Sequence, residues 1–296
     1  TAAFFQYERN VTEKLALTVG ARWTEEEKHF IAGQAYLSSV AAQRNRQFIG
    51  YADLNNTWDE TSLKFGATYE IDEDRMVYAS FSEGFHSGGF FGVNQNIRDF
   101  ERDQYDPEFA TSIEVGFKSM MLDNRLRFNV AAFRNEFEDK QESFVKIDPD
   151  TKTVASVFDN AAEVLYEGIE VEILYAATRD LRLFFNGGWL DANYEEFMTD
   201  VTPTDGVVNV VDASFLEPRN APEYTVGLGF NFTKQIGAGE MELFAKYTKI
   251  ADFQTDVLNL NAGRTASGNS EDLSATIGYY FGDYSISLYG KNLTDE

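Results

Sequence analysis

Leu63, Phe65, Ala67, Tyr69 and Ile71 alternate with Lys64, Gly66, Thr68 and Glu70. A period of two with one apolar and one polar face predicts a β-strand. The same alternation runs through 15–24, 111–118, 126–132, 168–175, 181–189 and 224–232. Similar runs cover roughly 3–8, 76–83, 240–248, 272–281 and 284–291, which gives about a dozen main strands, with a further short one near Val154 to Phe158. No stretch sustains a helical period.

The connections carry as much information as the strands. Tight ones fall at Arg9 to Glu13, Asp72 to Asp74, Met120 to Asp123, Ala177 to Asp180, Lys234 to Ala238 and Gly282 to Asp283. Between them lie long segments, roughly 27–60, 84–106, 137–164, 192–222 and 249–270, read as loops well beyond the usual length of roughly 2–6 residues. Successive turns of an up-and-down sheet fall at opposite ends. One end is therefore trimmed and the other elaborated, as in a membrane barrel with short inner turns and long outer loops.

The faces point the same way. With the tight turns below, the apolar face places Tyr69, Tyr175 and Tyr284 near the bottom and Trp23, Trp189 and Tyr247 near the top. Between these aromatics the face is Leu, Val, Ile, Ala and Phe. Two aromatic belts around an apolar band are expected at the interfaces of a bilayer. The opposite face carries Lys64, Glu70, Glu114, Lys118, Arg127, Glu170, Glu172, Arg182, Glu242 and Lys246. A dry sandwich core does not hold so many charges, whereas a hydrated lumen does. Arg127 or Arg182 is expected to pair with Glu114 or Glu170 and brace the wall or a plug within it.

Composition narrows the class. The chain has 296 residues and a net charge of -24, which disfavours nucleic acid as a partner. It has no cysteine, so disulfides and zinc-thiolate sites are excluded. Phe 26 and Tyr 15 against Pro 5 make a β composition. No apolar run is long enough for a membrane helix, which leaves a membrane barrel open. The start at Thr1 and the end at Glu296 read as those of a fragment.

Several segments then resemble one family. The stretches "YASFSEGFHSGGF" (78–90), "YDPEFATSIEVGFKS" (105–119), "NAAEVLYEGIEVEI" (160–173), "PRNAPEYTVGLGF" (218–230) and "SISLYGKNLTDE" (285–296) resemble, in order, segments of the TonB-dependent outer-membrane receptors. Ile113 stands where that family often has an aromatic. The resemblance implies an all-β, transmembrane, antiparallel up-and-down β-barrel of 22 strands closed around an N-terminal plug. On that count residues 1–296 are the C-terminal half of the barrel, with plug, TonB box and last strand outside this sequence.

What the resemblance implies for function is TonB-dependent active import across the outer membrane of a Gram-negative bacterium. A ferric siderophore or a similarly scarce nutrient is the cargo, TonB is a partner, and no cofactor is needed. A passive porin is the alternative. The loop expected to meet cargo is 84–94, where Gly88 and Gly89 allow close backbone approach. There Phe85, Phe90 and Phe91 offer stacking surface and His86 a polar contact. His29, the other histidine, falls at the same end. Acidic clusters such as Glu25 to Glu27 and Glu195 to Glu196 read as solvated surface, with divalent-cation bridging to lipopolysaccharide as the sharper reading. They favour neutral or cationic cargo. "DPDTKT" (148–153) reads as a hairpin turn rather than a calcium loop. Neither Gly-x-Ser-x-Gly nor His-Glu-x-x-His occurs, and no enzyme activity or resident metal is expected.

Overall fold

The computed structural model of the chain describes residues 1–36, 47–91, 104–147, 154–200, 210–257, 266–267 and 270–294. The strands are β1 (Ala2–Asn10), β2 (Leu15–Tyr36), β3 (Gln47–Asp72), β4 (Arg75–His86), β5 (Gly89–Phe90), β6 (Gln104–Tyr105), β7 (Glu108–Met121), β8 (Leu126–Ile147) and β9 (Val154–Ala176). They continue as β10 (Leu181–Asp200), β11 (Val210–Asp212), β12 (Tyr224–Ile236), β13 (Gly239–Ile250), β14 (Phe253–Gln254), β15 (Ala266–Ser267), β16 (Ser270–Phe281) and β17 (Tyr284–Gly290).

Twelve of these form one continuous path, β1-β2-β3-β4-β7-β8-β9-β10-β12-β13-β16-β17, with β11 added beside β10. Each strand on the path pairs antiparallel with the next. The short pairs β5-β6 and β14-β15 stand apart from it. This is the up-and-down order expected from the turn pattern. The tight turns recur where the sequence placed them. Those between β1 and β2 and between β9 and β10 use one device: a threonine hydroxyl, Thr12 or Thr178, accepts the backbone N–H groups two and three residues on. Gly237 and Gly282 supply the positive φ that two other turns require.

The long segments differ from the sequence reading. β2, β3, β8, β9 and β10 have 22, 26, 22, 23 and 20 residues. A bilayer crossing needs about 9–11. Much of what read as loop in 27–60, 137–164 and 192–222 is strand that rises beyond the apolar band, and the stretch near Val154 is the start of β9. The reason is physical. Above the band both faces of a hairpin are wetted, so Glu25, Glu26, Glu27 and Lys28 follow one another and the alternation vanishes. The hydrogen-bond ladder does not need it, and β2 stays paired with β3 up to Tyr36 and Gln47. The turn read in 148–153 lies outside the described residues.

Register keeps each face uniform across strands. Leu15 stands opposite Tyr69, Val19 opposite Phe65, Phe65 opposite Phe81 and Phe81 opposite Ile113. This face is apolar yet bare: Phe65 is 47 % exposed and Val115 51 %. Large apolar side chains spread bare over a whole wall require an apolar neighbour. Most of the buried apolar residues described gather elsewhere, in a small cluster of Ala162, Val164, Tyr194, Phe197, Ala213 and Val257 above the band. There residues of the connections after β10 and β13 cover the inner side of β9 and β10. The other face of the wall is polar and curls around a concavity of about 620 Å³. Seven consecutive strands of the path, from Tyr78 on β4 to Lys246 on β13, contribute to its lining.

Candidate functional site

The inner wall is smoothed by rings over glycines. Tyr78 stands opposite Gly116, Phe133 opposite Gly168 and Phe184 opposite Gly229. In each pair the glycine leaves room for the ring, and a Cβ there would run into it. The Phe133 Cζ, for instance, would lie 2.6 Å from a Cβ on residue 168. Such cross-strand pairs restore packing that a glycine forgoes. Charges fill the spaces between. Tyr78 Oη donates to Glu114 at 2.5 Å, Asn129 Nδ2 donates to Glu172 at 2.7 Å, and Lys118 Nζ stands 5.2 Å from the Tyr78 ring centre. The expected bracing by arginine is therefore met at Glu114 by a tyrosine. Arg134 pairs with Glu167 at 3.1 Å, but on the outer face.

At the top of the wall the chain after β4 turns inward as a strap. Ser87, Gly88 and Gly89 are buried, and β5 and β6 form its two edges. Glycine is required at 88 and 89, because a Cβ would overlap Tyr105, and at 88 also Trp58. On the β2–β3 side, Ser87 Oγ donates to Glu26 at 2.5 Å and Lys28 Nζ to the Gly88 carbonyl at 2.7 Å. Phe90 stacks on Phe30 at 5.6 Å and meets Trp58 edge-on at 5.9 Å. On the β8–β9 side, Phe91 stacks on Phe158 and Tyr105 meets the same ring edge-on at 4.6 Å. Gln141 Nε2 donates to the carbonyls of Asp106 (2.9 Å), Ser87 (3.2 Å) and His86 (3.4 Å). Asn160 Nδ2 donates to the carbonyls of Asp139 (2.7 Å), Asp106 (2.9 Å) and Pro107 (3.3 Å). Burial holds the Tyr105 hydroxyl above its ordinary pKa.

Beside the strap sits a buried carboxylate. Glu142 lies 2.9 Å from Arg219 and 3.6 Å from Lys140, and is 1 % exposed. Tyr194 is buried close by, and its Oη has no hydrogen-bond partner. Burial first, then the Glu142 charge, pushes that hydroxyl far above its ordinary pKa. The chain beyond Ala213 is tied down as well, since Ala213 N donates to the Phe197 carbonyl and Asn220 N to that of Gln254.

The four residues expected to meet cargo separate. His86 is exposed and shares the inner face with Tyr78. Phe85 has the parity of Val77 and Phe81, the apolar outer face. Phe90 and Phe91 dock the strap to the wall through ring contacts. His29 lies on the outer face, 2.5 Å from Asp53, so the two histidines do not converge. Among the aromatics expected at interfaces, Trp23, Tyr69, Trp189 and Tyr284 are exposed on the apolar face. Tyr175 stands opposite Leu183, and Tyr247 opposite Leu228 and Leu273. Among the described residues no group of His, Asp and Glu is placed to hold a metal ion. Gln141 and Glu142 carried no sequence signal. Asn160, Asp106 and Arg219 sit inside the motifs that resemble the receptor family, which identified them as a group without giving them roles.

The family model described as "TonB dependent receptor-like, beta-barrel" matches residues 1–293. A probable TonB-dependent siderophore receptor, PiuA of Acinetobacter baumannii, is 32% identical over 168 residues, 54% of this chain and 19% of that protein. The ferric-pyoverdine 358 receptor of Pseudomonas putida is 29% identical over 109 residues, 36% of this chain and 12% of that one. Among solved structures, the ferric yersiniabactin uptake receptor FyuA from Yersinia pestis superposes with a TM-score of 0.75 at 16% identity, covering 100% of this chain and 40% of FyuA. The siderophore receptor PiuA gives 0.70 at 21%, covering 100% and 39%. At these identities the superpositions establish the fold. The chain spans about two fifths of those structures, 40% and 39% of their length.

Proposed function

This chain belongs to the TonB-dependent receptor β-barrel family, and from that premise we propose that the whole protein is a TonB-dependent importer in the outer membrane of a Gram-negative bacterium. The cargo in this reading is a ferric siderophore or a similar scarce chelate. The observation that carries it is the two-sidedness of one continuous wall: bare apolar residues outside, charges and a concavity inside, tight turns below and tall hairpins above. Such a wall is stable only with lipid on one side and water on the other. The curated relatives it matches are named as siderophore and ferric-pyoverdine receptors, which supports the cargo class.

Within that reading the apolar face meets lipid, including lipopolysaccharide, and Trp23, Tyr69, Tyr175, Trp189, Tyr247 and Tyr284 anchor it at the interfaces. His86 reaches cargo from the inner face. Phe90 and Phe91 reach it with the ring surface their wall contacts leave free, and Phe85 supports the strap from behind. The barrel closes with strands supplied by the whole protein, around a plug that carries the TonB contact.

The test is uptake. Cells deleted for the receptor, with and without the full-length gene, are offered radiolabelled iron as catecholate, hydroxamate and citrate complexes at low iron. The expected result is restored uptake of at least one complex, lost again when TonB is deleted. Uptake indifferent to TonB would make the protein a passive channel and overturn the reading. Phe90→Ala with Phe91→Ala should raise the half-saturating concentration about tenfold or more; unaltered uptake would remove the strap from the cargo site.

A further inference from the structure

The strap is held from both flanks, and the two sets of anchors are unequal. On the β2–β3 flank the anchors reach buried Ser87 and Gly88 from side chains that water reaches: those of Lys28 and Glu26 are 35% and 47% exposed. Hydrogen bonds and ion pairs at such exposure trade almost evenly with water. On the β8–β9 flank Gln141 is 5% exposed. Its amide touches the carbonyls of His86 and Ser87, where the chain leaves the wall, and of Asp106, where it returns. Its own backbone N–H is taken by Glu108 Oε2 at 2.8 Å. Asn160 is its direct cross-strand partner and secures the return of the strap, accepting from Asp106 N at 2.7 Å as well as donating to three carbonyls. A double irregularity in the β8–β9 register, with Asp139 at φ 52, places both amides there.

We propose that Gln141 and Asn160 are a positioning pair, and that their two side-chain amides, rather than the contacts to β2 and β3, set where the strap carrying His86, Phe90 and Phe91 stands over the inner mouth. The chemistry is specific to an amide. Only a neutral side chain with two N–H groups can serve carbonyls on both arms of the strap without bringing an uncompensated charge into a buried place. Removing the Gln141 donors leaves the carbonyl of buried Ser87 unsatisfied where water does not replace them, whereas the Glu26 and Lys28 bonds are part-buried and end on side chains that water reaches. The pair touches no cargo. It acts through the strap, and the geometric claim is independent of the receptor reading, on which only its uptake arm rests.

The test uses the full-length receptor in outer-membrane vesicles. Gln141→Glu and Gln141→Met keep the length of the side chain and remove its donors; Glu26→Gln and Lys28→Met weaken the opposite flank. Backbone hydrogen exchange is followed by mass spectrometry. In both Gln141 variants, and in Asn160→Asp, amides of 86–91 and 104–108 should exchange about tenfold faster or more, while those of 63–71 and 181–189 keep their rates. The Glu26 and Lys28 variants should stay within about twofold of the parent. Exchange unchanged in the Gln141 variants would overturn the proposal, as would an equal acceleration in the β2-side variants. Faster exchange throughout the wall would also overturn it, because the residue would then hold the sheet rather than the strap. With the ferric catecholate, hydroxamate and citrate complexes, Gln141→Glu should raise the half-saturating concentration and leave the maximal uptake rate unchanged. If none of these complexes is transported, the receptor reading fails and the exchange result still decides the positioning claim.

Discussion

Tyr78 covers Gly116, its direct cross-strand partner, and from there its hydroxyl reaches Glu114 at 2.5 Å. A Cβ at 116 would overlap the ring. Gly116→Val should therefore lift the ring into the lumen and lower stability by about 1–3 kcal/mol. Gly229→Val should do more, since a Cβ there meets both the Phe184 ring and the backbone carbonyl of Ala245, which has less freedom to move. Gly84→Ala meets nothing within 4 Å and should be tolerated. The check is the temperature at which the folded receptor loses its compact mobility on gels, and the expected order of loss is Gly229, Gly116, Gly84.

That relationship shows how far the sequence could be read. Alternation at 63–71, 111–118 and 181–189 was legible because lipid on one side and water on the other impose it residue by residue. The rise of β2 and β3 beyond Trp23 was not, because there both faces meet water and Glu25 to Lys28 lose the pattern. Gly116 and Tyr78 lie 38 residues apart, and only register makes them a pair. The same holds for Gln141. Nothing beside it in "EDKQES" announces a side chain that ties down His86, Ser87 and Asp106. The glycines of 84–91 marked a departure from the strand pattern, while the contacts made by each ring there were not legible. Phe85 is turned to the outer face by strand parity, and Phe90 is engaged by Phe30 and Trp58.

The ion pair between Glu142 and Arg219 should respond asymmetrically to mutation. Arg219 is 37% exposed and Glu142 1%. Neutralising the carboxylate leaves an arginine that water can still solvate. Removing the arginine leaves a buried carboxylate whose remaining cationic neighbour among the described residues is Lys140, at 3.6 Å. Arg219→Met should cost about 2–3 kcal/mol, below the full range for a buried pair because the arginine is partly wet, and Glu142→Gln less than half of that. Protease cleavage within 213–220, against cleavage elsewhere, reads the difference. Equal sensitivity of the two variants would contradict the burial argument.

Acidity should tighten the tall hairpins. Glu163 stands opposite Glu196 across β9 and β10. Local desolvation, then Glu196, Glu138, Glu195 and Asp139, hold its carboxyl above the ordinary value. A folded pKa above the unfolded one means that its contribution to stability is present in full below the unfolded pKa. That contribution is lost as pH rises through the folded value. Glu163→Gln should thus stabilise the folded receptor at pH 7 and make little difference near pH 4. Melting temperatures of parent and variant at the two pH values decide it; a benefit at pH 4 equal to that at pH 7 would show that the repulsion is not the cause.

The sharpest consequence of the architecture concerns Val115 and Ser80. Val115 lies on the bare face, opposite Ala79, well inside the apolar band. Ser80 is the very next residue along β4, but it points to the polar face and stands opposite Glu114. In lipid a lysine at 115 would have to leave its charge near the middle of the bilayer, at a cost of about 2–4 kcal/mol. A lysine at 80 would meet water and a carboxylate, with an effect of about 0.5 kcal/mol or less. Val115→Lys should therefore cut the amount of assembled receptor in outer membranes severalfold, while Ser80→Lys leaves it near the parent level. A water-borne sheet with its apolar face packed on a second layer would also reject lysine at 115. It would differ in one respect: Val115→Phe, an added apolar ring, would clash in a closed core by about 1–3 kcal/mol. Against fluid acyl chains the same ring should be accommodated without loss. Measuring all three variants by assembly yield and unfolding in detergent or vesicles separates the two, and a strongly destabilising Val115→Phe would place this face against protein instead of lipid.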